Sequence, residues 1–344
     1  DITRQWQCLA TTDDGVRFTK SSANPVLADP PDGFMPRHFR DPFVWRDDFG
    51  DGAHWYMVLC GATTDESQRG AVLLYRGATL DNWQYLGPLR VEPEGTDKVT
   101  HECPNFFRIG EKWMLITSPQ PTGTAYVYVG RFDGRTFEIE HEDRMDHGDC
   151  WYAPLTFVDD AGRRVMFGWL REGRAREAHE AAGWAGVMSL PRLITLGDDG
   201  QPRYTIAPEV ESLRGKPVTV DTRPIDKELT VTPPGDRLDI EAEFESPAHT
   251  LTLTIGDVVL RYDPAGHHLS INDRQVALSL GDERLALRLV LDGSAVELIA
   301  NQRVCLSTRI YPAGGDTGPL TVGVGGPVML QRLSVWPMAS IWPM

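Results

Sequence analysis

Long apolar runs are missing from this 344-residue chain. No stretch approaches the roughly 20 consecutive apolar residues that a membrane helix needs, so a helical membrane span is excluded. Helical periodicity is almost absent as well. The one good candidate is the short stretch 173–182, Gly-Arg-Ala-Arg-Glu-Ala-His-Glu-Ala-Ala. Positive charge is scarce: 34 Lys and Arg stand against 49 Asp and Glu, a formal net charge of −15. A nucleic-acid surface needs basic patches to neutralise phosphates, so that class of partner is excluded and a neutral one such as a sugar fits better. Cysteine is sparse and odd in number: Cys8, Cys60, Cys103, Cys150 and Cys305, scattered and with no Cys-x-x-Cys pair. Neither a disulfide framework nor a zinc site is indicated, and the scatter leans toward a reducing compartment. His101 and His147 flank acidic positions without metal-ligand spacing, so no metal and no cofactor is expected.

What the chain does hold is strand. Short runs rich in β-branched and aromatic residues are bounded by Gly, Pro, Asp or Asn, as at 54–62, 70–77, 112–118, 124–132 and 163–170. The 25 prolines and 33 glycines suit a turn-rich all-β protein. A weak repeat places a turn before aromatic residues at 13–18, 80–85 and 132–137. A second repeat sets acidic residues immediately before an apolar strand, in Phe-Arg-Asp-Pro-Phe-Val-Trp (39–45), His-Glu-Cys-Pro-Asn-Phe-Phe (101–107) and the stretch 146–157. This is the pattern of a β-propeller, whose innermost strands begin at a central channel where several blades can aim side chains at one point. After about residue 214 the texture becomes regular alternation with tight turns, which predicts a β-sandwich. The expected division is therefore a propeller over 1–213 and a sandwich over 214–344. Inner strands are expected to begin near residues 41, 103 and 152, after the tail of an earlier blade. Propellers close with about four to eight blades, so the count predicts an incomplete one.

The acidic strand starts carry the chemistry. Glu102 beside Cys103 and Pro104 does nothing for a core, because a buried unpaired carboxylate is expensive. Glycoside hydrolysis commonly uses two carboxyl groups flanking the scissile bond, one to donate a proton and one to attack or to activate water. Glu102 is the candidate acid/base, with Asp41 a second carboxylate and Arg40 able to hold a sugar hydroxyl or orient a carboxylate. Taken singly, Arg-Asp-Pro is an ordinary turn before a strand, and Asp146 and Asp149 are ordinary turn formers. The ordered set, each member before a strand, is what points to a site.

These motifs, in the order Phe-Arg-Asp-Pro, His-Glu-Cys-Pro, Met-Asp-His-Gly-Asp-Cys-Trp-Tyr-Ala-Pro, 183–192 and 291–301, resemble glycoside hydrolase family 32 over nearly the whole chain. That family contains invertases, levanases, inulinases and related fructosyltransferases. The resemblance implies a five-bladed propeller followed by a β-sandwich, with the first blade and part of the second outside this chain. It implies Asp41 as transition-state stabiliser, Glu102 as acid/base, and Arg40 and Asp146 as substrate-binding residues. It also implies retention of configuration through a covalent fructosyl-enzyme on an Asp in an Asn-Asp-Pro-Asn motif. That motif does not occur in these 344 residues, and Asp29 in Ala-Asp-Pro-Pro lies only twelve residues before Asp41. The nucleophile is therefore expected on a companion N-terminal segment or chain. Asn105 stands where the family often has Asp, and Cys150 and Leu155 replace an Asp and a Gln; these departures bear on substrate choice. Three alternatives stay open at this point: a fructosyltransferase of the same family, an arabinanase- or xylosidase-like propeller enzyme, and a non-catalytic sugar-binding propeller.

Overall fold

The computed structural model describes residues 3–312 and 318–342, and it is all-β. Its contacts divide it into two compact units. The first holds the residues up to Arg144 with Ala153–Leu155 and Asp198–Gln201; the second holds Met145–Tyr152, Thr156–Gly197 and the chain from Pro202 onward.

The first unit opens with a two-stranded hairpin, β1 (Ala10–Thr11) and β2 (Thr19–Lys20). Two four-stranded antiparallel meanders follow. One is β3 (Arg40–Asp48), β4 (Ala53–Ala62), β5 (Gly70–Thr79) and β6 (Asn82–Val91). The other is β7 (Thr100–Ile109), β8 (Lys112–Gln120), β9 (Tyr126–Phe132) and β10 (Phe137–Arg144). In each the strands pair in chain order, which leaves β3 and β7 as edge strands. Two of the three repeated turns, at 13–18 and 132–137, have a common cause. The Asp14 carboxylate accepts from the N–H groups of Val16 and Arg17 at 2.8 Å, and Asp133 does the same for Arg135 and Thr136 at 2.9 and 2.7 Å. Each is an Asp side chain standing in for a backbone turn. Between the two meanders lies an aromatic core: Trp45 and Tyr56 stack at 5.3 Å, Trp45 meets Phe106 at 5.4 Å, and Phe106 stacks on Trp113 at 4.9 Å. Such ring pairs add about 0.5–1.5 kcal/mol each beyond their burial.

A sheet of β11 (Trp151–Val158), β12 (Arg164–Leu170), β13 (Val187–Met188), β14 (Arg192–Leu196) and β15 (Pro202–Ile206), with β13 beside β12, lies in the second unit except for Ala153–Leu155 of β11. The helix expected over 173–182 forms only as α1 (Arg176–Ala182). Its first residues are diverted: Arg174 donates from its backbone and its guanidinium to Glu172, which Tyr311 also engages, so that turn cannot enter the helix. Beyond a 3-10 turn at Pro208–Leu213, a seven-stranded and a six-stranded sheet enclose one apolar cluster. Leu238, Ile240 and Phe244 come from one sheet and Leu251, Leu253 and Leu260 from the other. The alternation that predicted these strands is visible in Leu251–Ile255, where every second residue is buried.

Candidate active site

Three strand starts share one backbone device. Asp41, Cys103 and Ala153 each precede a proline and each sits at positive φ, +61°, +48° and +49°. In β3 the pair Asp41–Pro42 stands where the register slips between Arg40↔Cys60 and Phe43↔Val58. In β7 the pair Cys103–Pro104 stands at the same slip, between Glu102↔Ser118 and Asn105↔Ile116. These are β-bulges, which re-aim side chains at sheet rims. Proline has no N–H for a ladder, so it is tolerated at a bulge on an edge strand. A residue before proline is disfavoured in the right-handed helical region. For Cys103 and Ala153 the left-handed conformation costs roughly 1–2 kcal/mol, which the surrounding bonds must hold in place.

Those bonds tie one strand start to the next. The Cys103 N–H donates to Asp41 Oδ2 at 3.0 Å, so the carboxylate of the first bulge secures the second. Asn105 Nδ2 donates to the carbonyls of Cys103 and Pro154, both at 3.0 Å, and the Ala153 N–H donates to Ser118 Oγ at 3.1 Å. The structure thus brings Arg40, Asp41 and Glu102 together. Arg40 Nη2 meets Glu102 Oε1 at 2.5 Å, and Arg40 Nε lies 3.7 Å from Asp41 Oδ2. Their side chains are 21%, 31% and 15% exposed for Arg40, Asp41 and Glu102, shielded but reachable. Gln120 Nε2 donates to Glu102 Oε2 at 2.7 Å, a partner that the motif reading did not include. Burial pushes the Cys103 thiol up to about 12, with the Asp41 and Glu102 charges adding to it, so the thiol stays protonated and is no nucleophile. His38 Nδ1 accepts from Arg40 Nη1 at 3.2 Å; burial and the charges of Arg40 and Arg37 lower its pKa and favour the neutral ring.

Behind Glu102, its neighbour His101 points the opposite way along the strand and is fully buried. It lies 2.8 Å from Glu92 Oε1 and 2.9 Å from Thr117 Oγ1. Hydroxyl, imidazole and carboxylate in a row have the order of a nucleophilic triad, but burial denies any substrate access. Glu92 is in turn bound by Arg90, and Arg90 and Lys98 both reach Glu142. Burial alone would raise the Glu92 carboxyl, but the hydrogen bonds from His101 and Arg90 outweigh it and hold it at about 2.

Asp146, expected to bind substrate, is placed otherwise. It is 1% exposed, and Arg192 Nη1 and Ser307 Oγ engage its Oδ2 at 2.9 and 2.7 Å. Its Oδ1 accepts from the N–H groups of Gly148 and Ser307 at 2.9 and 2.8 Å. A carboxylate so enclosed offers no face to a sugar. Arg192, also 1% exposed, carries on to Glu297 at 2.7 Å, and its guanidinium lies over the Trp151 ring at 5.0 Å. The sequence holds no local sign of this role, because the side-chain partners of Asp146 lie 46 and 161 residues away.

Among the described residues no group of three or more His, Cys, Asp or Glu side chains is arranged to hold a metal ion. A cavity of about 740 Å³ lies in the second unit, lined by Tyr204, Glu241, Arg284, Arg288 and Arg332 among others, and it contains none of the expected site residues.

The family model for the glycosyl hydrolases family 32 N-terminal domain matches residues 1–208, and that for the family's C-terminal domain matches 209–337. A sucrose-6-phosphate hydrolase of Escherichia coli is 32% identical over 98% of this chain and 73% of its own length. A raffinose invertase of Escherichia coli is 33% identical over 97% of this chain and 73% of its own. A solved family 32 β-fructofuranosidase from Bombyx mori superposes with a TM-score of 0.79 at 26% identity, covering 99% of this chain and 74% of that one. An Aspergillus kawachii β-fructofuranosidase shares the fold with a TM-score of 0.85 at 20% identity, over 100% of this chain and 78% of that one. With both family models matched in order along the length of the chain, and the Arg-Asp-Pro and Glu-Cys-Pro residues joined in one cluster, this chain belongs to the glycosyl hydrolases of family 32 and is a glycosidase.

Proposed function

We propose that the chain acts in retaining hydrolysis of β-fructofuranosides of the sucrose, levan or inulin type. Glu102 gives a proton to the glycosidic oxygen as its bond to the anomeric carbon breaks, and later takes a proton from the attacking water. Asp41 holds sugar hydroxyls that gain charge in the transition state, and Arg40 orients Glu102. The carboxylate that forms the covalent fructosyl intermediate comes from a segment outside residues 1–344. In this reading residues 1–213 supply blades two to five of a five-bladed propeller, and 214–344 supply the sandwich. Asp146 takes a structural role in place of the substrate contact first expected.

The observation that carries the reading is the joining of Arg40, Asp41 and Glu102, from two edge strands, through the 2.5 Å ion pair and the Asp41–Cys103 bond at 3.0 Å. The relatives' names, a sucrose-6-phosphate hydrolase, a raffinose invertase and a β-fructofuranosidase, all concern fructose-containing sugars. The family match also sets aside the arabinanase- or xylosidase-like alternative. In favour of a companion segment are the exposed apolar side chains of Leu155, Phe157 and Val158 on the edge strand β11.

The test pairs native and denaturing mass spectrometry with assays of fructose release. The expected mass includes polypeptide beyond residues 1–344, and the intact protein is expected to release fructose from sucrose, levan or inulin. Glu102→Gln and Asp41→Asn should each lower kcat by about 10²–10⁴-fold. Release by Glu102→Gln at the wild-type rate would remove Glu102 from the mechanism.

A further inference from the structure

The grip on Glu102 assigns its two oxygens different work. Arg40 comes from β3 and reaches Oε1 at 2.5 Å; Gln120 comes from the end of β8 and reaches Oε2 at 2.7 Å. The guanidinium is a permanent donor with no acceptor atom, so a proton placed on Oε1 would face its N–H groups. Oε2 is the oxygen left to carry the transferable proton. A protonated Oε2 still keeps a lone pair, and the neutral amide of Gln120 can go on donating to it in both protonation states. We propose that Gln120 is a positioning residue for proton transfer, holding Oε2 of Glu102 toward the glycosidic oxygen while Arg40 fixes Oε1. The inference rests on the acid/base reading of Glu102.

The register explains why this residue can do it. Glu102 pairs with Ser118 and Thr100 with Gln120, so Ser118 and Gln120 share one face of β8 at its end. Ser118 accepts from the Ala153 N–H, and Gln120, one step further on that face, reaches the carboxylate diagonally. In the first half-reaction the proton leaves Oε2 for the leaving oxygen, which takes the electron pair of the broken bond. In the second, water gives a proton to Oε2 as its oxygen bonds to the anomeric carbon and the enzyme ester is released. Both steps need Oε2 in one place.

Gln120→Met keeps the length of the side chain and removes the donor. The intact enzyme is assayed on sucrose, whose leaving group needs protonation, and on a p-nitrophenyl β-fructofuranoside, whose leaving group does not. The expected result for Gln120→Met is a fall in kcat/KM on sucrose of about 10–100-fold, with kcat/KM on the aryl substrate, which reports the first half-reaction alone, lowered less than about threefold. Glu102→Ala serves as reference and should show the same substrate dependence, magnified. An equal loss of kcat/KM on both substrates, or no loss at all, in Gln120→Met would overturn the role of Gln120 while leaving Glu102 intact. If Glu102→Ala itself shows no difference between the substrates, or the unaltered enzyme cleaves neither, the acid/base reading fails first and Gln120 with it.

Discussion

Asn105 shows how one atom decides a local structure. Its Nδ2 faces two carbonyl oxygens, those of Cys103 and Pro154, from a position with no solvent exposure. The family often has Asp at this place, yet an ionised Asp would set acceptor against acceptor here. Asn105→Asp is expected to lower the unfolding free energy by about 2–3 kcal/mol at neutral pH, measured by urea denaturation. A loss below about 0.5 kcal/mol would mean that the carbonyls re-orient freely. At this scale the sequence was legible wherever chemistry and motif coincide. Arg40, Asp41 and Glu102 announce themselves because charges within two residues of a proline that opens an apolar run are wasteful in a core. Gln120 did not, because its relation to Glu102 exists only after β7 and β8 have paired. Asp146 carried the same acidic-before-strand signature as the others, and only its buried cation shows that the signature there serves packing.

At the level of strands, Cys103 and Pro104 are the two residues of the bulge in β7. The prolines marked the place, but the positive φ of their predecessors has no signal in residue type, since Cys and Ala are not residues that favour it. The polar chain Thr117–His101–Glu92–Arg90–Glu142 joins β6, β7, β8 and β10 by the same logic of edge control. It makes an acid-dependent prediction. Glu92 is held at about 2, below the ordinary carboxylate value of 4.5, so its contribution is whole above pH 4.5 and disappears as pH falls toward 2. Its size is on the order of 3 kcal/mol, from about 1.4 kcal/mol per pKa unit. His101 works in the same direction, because burial lowers its pKa and unfolding below its ordinary 6.5 lets it take up a proton. The stability gap between the wild-type protein and Glu92→Gln, followed by urea unfolding from pH 6 to pH 3, is therefore expected to narrow as acid is added. A constant gap would mean that Glu92 gains nothing from its charge.

Across the whole molecule, the all-β class was readable because alternation with period two survives in strands such as Leu251–Ile255. What the sequence concealed is the depth of the bond between β14 and the sheets that follow it. Arg192 stands with Asp146 on one side and Glu297 on the other, all three nearly without exposure. Removing the cation strands two buried carboxylates. Arg192→Met is expected to lower stability by about 3–5 kcal/mol in denaturant unfolding. A loss under about 1 kcal/mol would show that Asp146 and Glu297 are neutral or reach water.

The same contact bears on recombination between relatives. The two family models meet at residues 208 and 209, which makes that junction the natural point to splice one protein's C-terminal part onto another's N-terminal part. Arg192 and Asp146 lie before the splice; Glu297 and Ser307 lie after it. Gly148 adds a steric condition, since a Cβ there would lie 1.8 Å from the Ser307 carbonyl oxygen. A donor whose C-terminal part lacks the matching carboxylate and hydroxyl would yield hybrids with an unbalanced buried charge at the seam. Compatible donors can thus be screened by two positions rather than by total identity.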